Sequence, residues 1–254
     1  MGDNAFNLRN PATQTSKDNS FRSGMAEHFE NAQGSTAEKL DMFPRFVSRQ
    51  SLSIFLAKDH IFKQILPIHG AIVECGVFMG AGLFTWAQLS SIYEPANHNR
   101  RVIGFDSFEG FPQVGSQDEG AGLIHKTEGG YRFDGKKELE DCAALHDLNR
   151  PIGHIPNVEL VKGDARQTIP DYVAENQHLV VSLLYLDFDL YEPTKVALEA
   201  LRERMPKGAV LAFDELNQAQ WPGETRAVLE CIGIKNLHIQ RVPYTPALSY
   251  AVLD

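Results

Sequence analysis

The chain is 254 residues long and 43% of its residues are hydrophobic, which supplies enough apolar material for a buried core and excludes a disordered chain. Its formal net charge is −9, from 24 Lys and Arg against 33 Asp and Glu, so the basic footprint of a general nucleic-acid binder is missing. Three cysteines without a CxxC pair argue against a disulfide framework or a zinc knuckle and indicate a reducing compartment.

The first part of the chain is polar and has no sustained apolar period, which predicts a flexible arm over residues 1–34. This arm contains no apolar segment of the kind found in secretory signals. The longest apolar run, residues 179–186, is far shorter than the roughly 20 residues that span a bilayer. We therefore expect a cytoplasmic protein that does not enter a membrane.

A single domain is predicted over residues 35–254, and it begins with helices within residues 35–69. Ser35 and Glu38 have the spacing of a capping box, so a helix is expected to start there. A second apolar helix is expected over residues 53–66.

Strands and helices alternate from residue 70 onward. The predicted strands are near-continuous apolar runs, typical of a parallel sheet covered on both faces, at residues 71–75, 101–105, 158–161, 179–186, 209–213, 237–242 and 249–253. Helical patterns lie between them at residues 83–93, 136–148, 165–176, 193–204 and 223–231. This order predicts a doubly wound, mostly parallel α/β sheet of seven strands, with the last two forming an antiparallel hairpin at one edge.

One segment interrupts the alternation of strands and helices. Residues 107–135 contain seven glycines and no convincing period, and they directly follow a strand, where α/β enzymes keep their ligands. We interpret the segment as an active-site loop or lid. A surface insertion without a role is the alternative.

A glycine turn lies between the first strand of the sheet and the next helix, in the segment VECGVFMGAG. Glu74, Gly76 and Gly80 have the spacing E-x-G-x-x-x-G, which departs from the dinucleotide fingerprint G-x-G-x-x-G. Glycines let backbone N–H groups and a helix N-terminus approach a ligand. Any strand-to-helix turn also needs glycine, so the turn alone leaves both interpretations open.

Two single acids follow the next two predicted strands. Asp106 is in the position where a carboxylate can accept hydrogen bonds from a ribose diol. Asp164 precedes a helix, where it is either a ligand contact or an ordinary N-cap.

Four further acids follow two neighbouring strands: Asp187, Asp189, Asp214 and Glu215. Asp187 and Asp189 are two residues apart and so share one face, and a like-charged pair is costly unless a cation or proton offsets it. Mg²⁺ suits such an oxygen-rich site, because it needs few protein ligands and keeps positions free for a substrate. Solvated strand ends are the alternative interpretation.

The motif series VECGVFMGAG, VIGFDSFEGFP, VKGDARQTIP, LDFDLYEPT and KGAVLAFDELN resembles the macrocin O-methyltransferase (TylF-like) family. The resemblance covers about residues 40–254, and its most specific part is D-x-D-x-Y-x-x-T followed by an acidic pair. It implies a Rossmann-like methyltransferase sheet and an enzyme that depends on S-adenosylmethionine and Mg²⁺ and methylates a deoxysugar hydroxyl in the biosynthesis of natural products such as antibiotics. It also implies a small-molecule sugar substrate and a homo-oligomer.

The resemblance assigns roles to the site residues in three groups. The cofactor would be held at its methionine part by Glu74, Gly76 and Gly80, at its ribose by Asp106 and Ser107, and at its adenine by Asp164 and Ala165. The metal ligands would be Asp187, Asp214 and Glu215, and the catalytic base would be Asp189. The family usually has two aspartates where this chain has Asp214 and Glu215, so Glu215 is the ligand that departs from the pattern.

Two other functions compete with the methyltransferase. The first is a metal-dependent hydroxylase or hydrolase on the same frame, similar to cephalosporin hydroxylases, which would favour an iron site of two histidines and a carboxylate. His125 in the long loop is the only suggestive histidine for it. The second is a non-catalytic cofactor-binding homologue, which the intact set of acids argues against, since a degenerate member would be expected to lose costly carboxylates first.

Overall fold

A seven-stranded mixed sheet forms the centre of the fold in the computed structural model, which describes residues 15–120 and 126–254. The strands are β1 (Ala71–Cys75), β2 (Val102–Asp106), β3 (Val158–Lys162), β4 (Val181–Leu186), β5 (Val210–Phe213), β6 (Gln240–Arg241) and β7 (Ser249–Val252). Their order across the sheet is β3-β2-β1-β4-β5-β7-β6. The first five strands are parallel to one another, whereas β7 pairs antiparallel with β5 and with β6. The predicted fold class is confirmed.

Two compact units divide the chain, Met1–Leu56 and Ala57–Asp254. Among the described residues, three α-helices precede the sheet: α1 (Ser16–Asn31), α2 (Thr36–Asp41) and α3 (Arg49–Ile65). The division between the two units falls within α3. Ser35 and Glu38 form the predicted capping box at the start of α2.

The helix α1 lies within residues 1–34, for which the sequence predicted a flexible arm and no helix was proposed. Thr15 caps its first turn in a capping box with Asp18, a signal that the sequence contains. No residue of α1 is buried, which explains why the sequence has no apolar period there.

Five helices follow strands of the sheet: α4 (Ala81–Tyr93), α5 (Lys136–Leu148), α6 (Ala165–Glu175), α7 (Tyr191–Leu201) and α8 (Pro222–Cys231). Each lies within a few residues of its predicted position. The strand predicted over residues 237–242 is shorter in the structure, where β6 has two residues and pairs only with β7. Among the described residues, no helix is both long and apolar enough to cross a bilayer.

Helices cover both faces of the central strands. One face contributes Val73, Phe105 and Leu186 to a core shared with α6, α7 and α8. On the other face, Tyr185 of β4 packs its ring edge-to-face against Trp86 of α4. Every residue of β1 and β4 is buried, as expected for parallel strands with continuous apolar sequence. The strand ends that carry the acids are therefore held by a rigid core.

Candidate active site

The glycine turn joins the end of β1 to α4 and lies directly against the end of β4. Gly76 has φ +102°, and a Cβ atom placed on it would lie 2.0 Å from the carbonyl oxygen of Asp187. Gly80 has φ +83° and is the N-cap of α4. Only glycine allows this close approach in this conformation, so the turn brings the predicted cofactor segment next to the predicted metal segment.

Glu74 lies beneath this turn and is 1% exposed. A Cβ atom on Gly82, in the first turn of α4, would be 2.2 Å from its Oε1 atom. Burial raises the pKa of Glu74 to about 7, and the nearby charge of Lys58 opposes that shift. Sequence reasoning missed Lys58, whose buried Nζ lies 3.5 Å from the centre of the Tyr185 ring. A lysine on an apolar helix face carries no sequence signal for this position.

Asp106 binds the backbone of the glycine turn. Its Oδ2 atom accepts hydrogen bonds from the N–H groups of Val77 and Phe78, both at 2.8 Å, and its Oδ1 atom accepts one from Phe108 at 2.7 Å. The adjacent Ser107 hydroxyl donates to the carbonyl of Gly110 at 2.6 Å. Asp106 therefore shapes the turn in addition to any role toward a ribose.

Asp164 is the N-cap of α6, as the alternative interpretation predicted. Its side chain accepts from the backbone N–H of Arg166 at 3.0 Å and forms an ion pair with the Arg166 guanidinium, which lowers the pKa of Asp164. It also lines a cavity of about 460 Å³ together with Ser107, Gly163 and Phe111, and the buried Ala165 begins α6 beside it. Asp164 can therefore be both a helix cap and a ligand contact, since it caps α6 and also lines the cavity.

Three carboxylates converge at the ends of β4 and β5. Asp187, Asp214 and Glu215 offer oxygen atoms that all lie within 4.8 Å of one another. β4 and β5 are neighbours in parallel, with Leu186 opposite Phe213, so the residues that follow each strand meet at the same edge of the sheet. We call these three side chains the acidic cluster.

Burial and mutual repulsion dominate the electrostatics of the acidic cluster. Burial, then the charges of Asp214 and Asp189, raise the pKa values of Asp187 and Glu215 well above the ordinary range. Glu215 is only 4% exposed, and its Oε2 atom has no hydrogen-bond partner among the described residues. A cation at this position would offset the repulsion and satisfy the unpaired oxygen.

Two residues that sequence reasoning missed form hydrogen bonds with members of the acidic cluster. The Tyr185 hydroxyl donates to Asp214 Oδ1 at 2.6 Å. Glu224 in the first turn of α8 is fully buried and accepts from the backbone N–H of Glu215 at 3.1 Å. Glu224 is distant from the strand-end motifs in sequence, and only the tertiary fold brings it close.

Asp189 lies beside the acidic cluster in a left-handed backbone conformation, with φ +62°. This conformation is uncommon outside glycine, and residues that adopt it concentrate at functional sites. Burial, then the charge of Asp214, raise the pKa of Asp189 to about 8, while Lys126 opposes that shift.

The described parts of the long loop, residues 107–120 and 126–135, contribute aromatic side chains near these acids. Phe111 and Tyr131 of the loop form edge-to-face or tilted ring contacts with each other and with Trp221, the N-cap residue of α8, at centroid distances of 5.5 to 6.2 Å. Burial, followed by the charges of Asp189 and Glu215, raises the pKa of Tyr131 to about 12. His125, the candidate histidine of the iron alternative, lies outside the described residues.

The fold and the site together define a class of protein. A glycine turn follows β1 in a Rossmann-like sheet, acids follow β2, β4 and β5, and a cavity lies between the ends of β2 and β3. Ligands of doubly wound sheets bind at this edge, beyond the carboxyl ends of the strands. The class is that of an α/β protein with a Rossmann-like sheet, whose candidate site combines a cavity and a group of three carboxylates at this edge.

Comparisons with known proteins then identify the family. The model of the macrocin O-methyltransferase (TylF) family matches residues 56–232. The chain therefore belongs to this O-methyltransferase family, as the sequence motifs indicated.

Individual relatives agree with this assignment. The crystal structure of CalS11, a calicheamicin methyltransferase, has a TM-score of 0.90 at 35% identity, covering 94% of this chain and 93% of that chain. An apo structure of CalS11, there described as a TDP-rhamnose 3'-O-methyltransferase, has a TM-score of 0.81 at 33% identity, covering 94% and 95%.

One curated relative matches over a shorter region. The 8-demethyl-8-(2,3-dimethoxy-alpha-L-rhamnosyl)-tetracenomycin-C 4'-O-methyltransferase of Streptomyces olivaceus is 30% identical over 152 residues, which cover 58% of this chain. The match covers 53% of the relative, so the chain spans about half the length of that protein.

Proposed function

We propose that the protein is an S-adenosylmethionine- and Mg²⁺-dependent O-methyltransferase that methylates a hydroxyl of a deoxysugar, either nucleotide-linked or attached to a natural product. The observation that carries the proposal is the acidic cluster, whose oxygen atoms lie within 4.8 Å of one another directly beside the glycine turn. The sugar class is supported by the relatives, since one is named for TDP-rhamnose and another for a rhamnosyl natural product.

The chemistry of the acidic cluster fits a hard divalent cation. Asp187, Asp214 and Glu215 offer carboxylate oxygens only, and the buried Oε2 atom of Glu215 lacks a partner among the described residues. When bound, Mg²⁺ would supply a Lewis acid that lowers the pKa of a sugar hydroxyl and orients it. Glu215 is one methylene longer than the usual aspartate, yet its backbone N–H is held by Glu224, which places its carboxylate within the cluster.

The cofactor cleft fits a ligand with a sulfonium, a ribose and an adenine. Gly76 and Gly80 keep side chains out of the turn before α4, beside which the methionine part would lie with Glu74 beneath it. We assign the ribose to Asp106 and Ser107, and the adenine to Asp164 and Ala165 along the 460 Å³ cavity. When bound, S-adenosylmethionine would supply the electrophilic methyl group.

Asp189 is the proposed general base. It follows β4 two residues after Asp187, and its left-handed backbone turns the chain at the cluster. In this role, one of its carboxylate oxygens would accept the proton that the sugar hydroxyl loses during the reaction. The aromatic side chains of Tyr131, Phe111 and Trp221 would exclude water from the same space.

The carboxylate cluster also distinguishes this proposal from the iron-dependent hydroxylase. Within residues 15–120 and 126–254, the group of side chains that can share a metal ion contains three carboxylates and no histidine. An iron site of two histidines and a carboxylate therefore has no counterpart in the described part of the chain. The homo-oligomer implied by the family resemblance stays a prediction.

Calorimetry tests the cofactor part of the proposal directly. We expect S-adenosylhomocysteine to bind with and without Mg²⁺, because the cleft residues do not include the acidic cluster. Asp106→Ala should weaken its affinity by about 1–3 kcal/mol, since hydrogen bonds to a charged acceptor are lost. Binding of NADH in place of S-adenosylhomocysteine would contradict the cofactor assignment.

A further inference from the structure

Asp118 in the long loop is buried although no motif predicted a role for it. It is 2% exposed and belongs to a 3-10 turn over Ser116–Asp118. Its Oδ1 atom accepts a hydrogen bond from the backbone N–H of Tyr191 at 2.7 Å, and its Oδ2 atom accepts one from Gly115 at 3.0 Å. Both oxygens of this buried carboxylate are thus paired with backbone N–H groups.

Tyr191, the hydrogen-bond partner of Asp118, lies in the turn that leads from Asp189 into α7. Tyr191 is the first residue of α7, and the N-cap residue Leu190 provides no side-chain hydrogen bond. The first N–H groups of a helix need an external acceptor, and Asp118 supplies one from 73 residues earlier in the chain. The acceptor therefore fixes the backbone two residues after Asp189, where the chain leaves its left-handed conformation.

Close packing holds Asp118 in this position. A Cβ atom on Gly223, in the first turn of α8, would lie 2.3 Å from the Asp118 Oδ1 atom. Arg226 of the same helix donates to the carbonyl of Gln117. The carboxylate lies at the N-terminal ends of both α7 and α8, where the helix dipoles stabilise a negative charge.

Two further side chains of the same loop, Lys126 and Tyr131, contact residues beside the proposed sugar site. Lys126 donates to the carbonyl of Gln220 at 2.6 Å, and its Nζ lies 4.8 Å from the centre of the Trp221 ring. Tyr131 contacts the Phe111 and Trp221 rings beside the acids. Loss of the Asp118 contact would release the first turn of α7, which follows Asp189 on the same side of the site.

We propose that Asp118 is a positioning residue for the sugar acceptor: it fixes the turn from Asp189 to Tyr191 and holds residues 115–118 of the loop against α7 and α8. The role toward the sugar rests on the proposed function. The role of Asp118 in fixing the start of α7 depends only on its hydrogen bond to Tyr191. Asp118 is not among the residues that line the 460 Å³ cavity or form the acidic cluster. We therefore expect S-adenosylhomocysteine and Mg²⁺ to bind normally when Asp118 is replaced.

Asp118→Ala and the matched control Glu119→Ala test this proposal, because Glu119 is the exposed neighbour in the same loop. In Asp118→Ala, the Tyr191 amide should exchange its hydrogen about 10- to 100-fold faster, as expected for losing a hydrogen bond to a charged acceptor. The KM for the sugar should rise and kcat should fall, while the affinities for S-adenosylhomocysteine and Mg²⁺ in calorimetry stay within about twofold. Glu119→Ala should match the wild type in every measurement.

Asp118→Asn keeps an oxygen that can accept from Tyr191 but turns an amide nitrogen toward the Gly115 N–H, so it should restore part of the activity and of the exchange protection. This variant also serves if the alanine variant fails to fold. Unchanged Tyr191 exchange and unchanged kinetics in Asp118→Ala would overturn the proposal, as would a parallel loss of S-adenosylhomocysteine affinity. A wild type that binds S-adenosylhomocysteine but methylates no sugar would contradict the proposed function alone, and the exchange measurement would still decide the role of Asp118.

Discussion

At the scale of single residues, the acidic cluster holds like charges together at a cost in folding free energy. Carboxyl groups whose pKa is raised on folding destabilise the protein as pH rises from the unfolded toward the folded pKa. Asp187 and Glu215 both have raised pKa values, because they are buried near Asp214 and Asp189. The metal-free protein should therefore be least stable at alkaline pH, and a bound cation should reverse this.

Asp187→Asn tests this repulsion and the metal site together. In chelator at pH 8, the variant should be more stable than the wild type by at least about 1 kcal/mol, the equivalent of roughly one pKa unit. It should also lose the stabilisation that Mg²⁺ gives the wild type. Denaturant unfolding with and without Mg²⁺ measures both effects, and Asp171→Asn on the exposed side of α6 is the control. Equal Mg²⁺ stabilisation in Asp187→Asn would remove Asp187 from the ligand set.

Asp189→Asn separates the base from the metal ligands. The amide has nearly the same shape but cannot accept the proton, so turnover should fall by roughly 10²- to 10⁴-fold. Calorimetry should show Mg²⁺ and S-adenosylhomocysteine binding close to that of the wild type. Wild-type turnover in Asp189→Asn would assign the base to another residue, and His125 would be tested next.

The raised pKa of Glu74 should make the stability of the protein depend on pH. Its pKa rises from the ordinary 4.5 to about 7 on folding, so its contribution to stability is lost as pH rises through this interval. Between pH 4.5 and 8, the metal-free wild type should lose about 2–3 kcal/mol more unfolding free energy than Glu74→Gln. Unfolding by denaturant at several pH values measures the difference, with Glu119→Gln as an exposed control. Parallel curves for wild type and Glu74→Gln would show that Glu74 titrates normally.

At the scale of elements, the glycine turn determines how closely β1 approaches β4. Gly76→Ala would place a methyl group 2.0 Å from the Asp187 carbonyl in a left-handed backbone, so the strand ends must separate. We expect a loss of about 2–4 kcal/mol in stability and at least about tenfold weaker S-adenosylhomocysteine binding.

Gly233→Ala is the matched control for that substitution. Gly233 also has a positive φ, +80°, but an added Cβ would meet only the end of the Asn236 side chain at 3.2 Å. It should therefore show the backbone strain of about 1 kcal/mol without an effect on cofactor binding. Equal losses in the two variants would mean that close approach to Asp187 has no special role.

At the scale of the whole molecule, the sequence predicted the elements whose local pattern is strong. Apolar runs located β1, β2, β4 and β5, and the four acids after β4 and β5 predicted one shared site, within which the family resemblance named Asp187, Asp214 and Glu215 as metal ligands. The helix α1 was missed because it buries no residue, although Thr15 and Asp18 carry its capping signal.

The supporting residues could not be predicted, because their roles depend on contacts between distant segments. Asp118 meets Tyr191 and Glu224 meets Glu215 only after the sheet has formed. Lys58 lies in an apolar helix pattern, and its place over the Tyr185 ring follows from how α3 packs on β4. Strand-end motifs thus located the candidate site, whereas tertiary packing determines what holds it in place.

An assay of metal-dependent methyl transfer decides whether the acidic cluster takes part in the reaction. The measurement incubates the wild-type protein with S-adenosylmethionine and a panel of nucleotide-linked and aglycone-linked deoxysugars, in EDTA and then with excess Mg²⁺, and follows the sugar by mass. We predict that one class of sugar gains a methyl group with Mg²⁺ and none does in EDTA. Methylation at full rate in the chelated protein would contradict the account, because the acidic cluster would then have no part in the reaction.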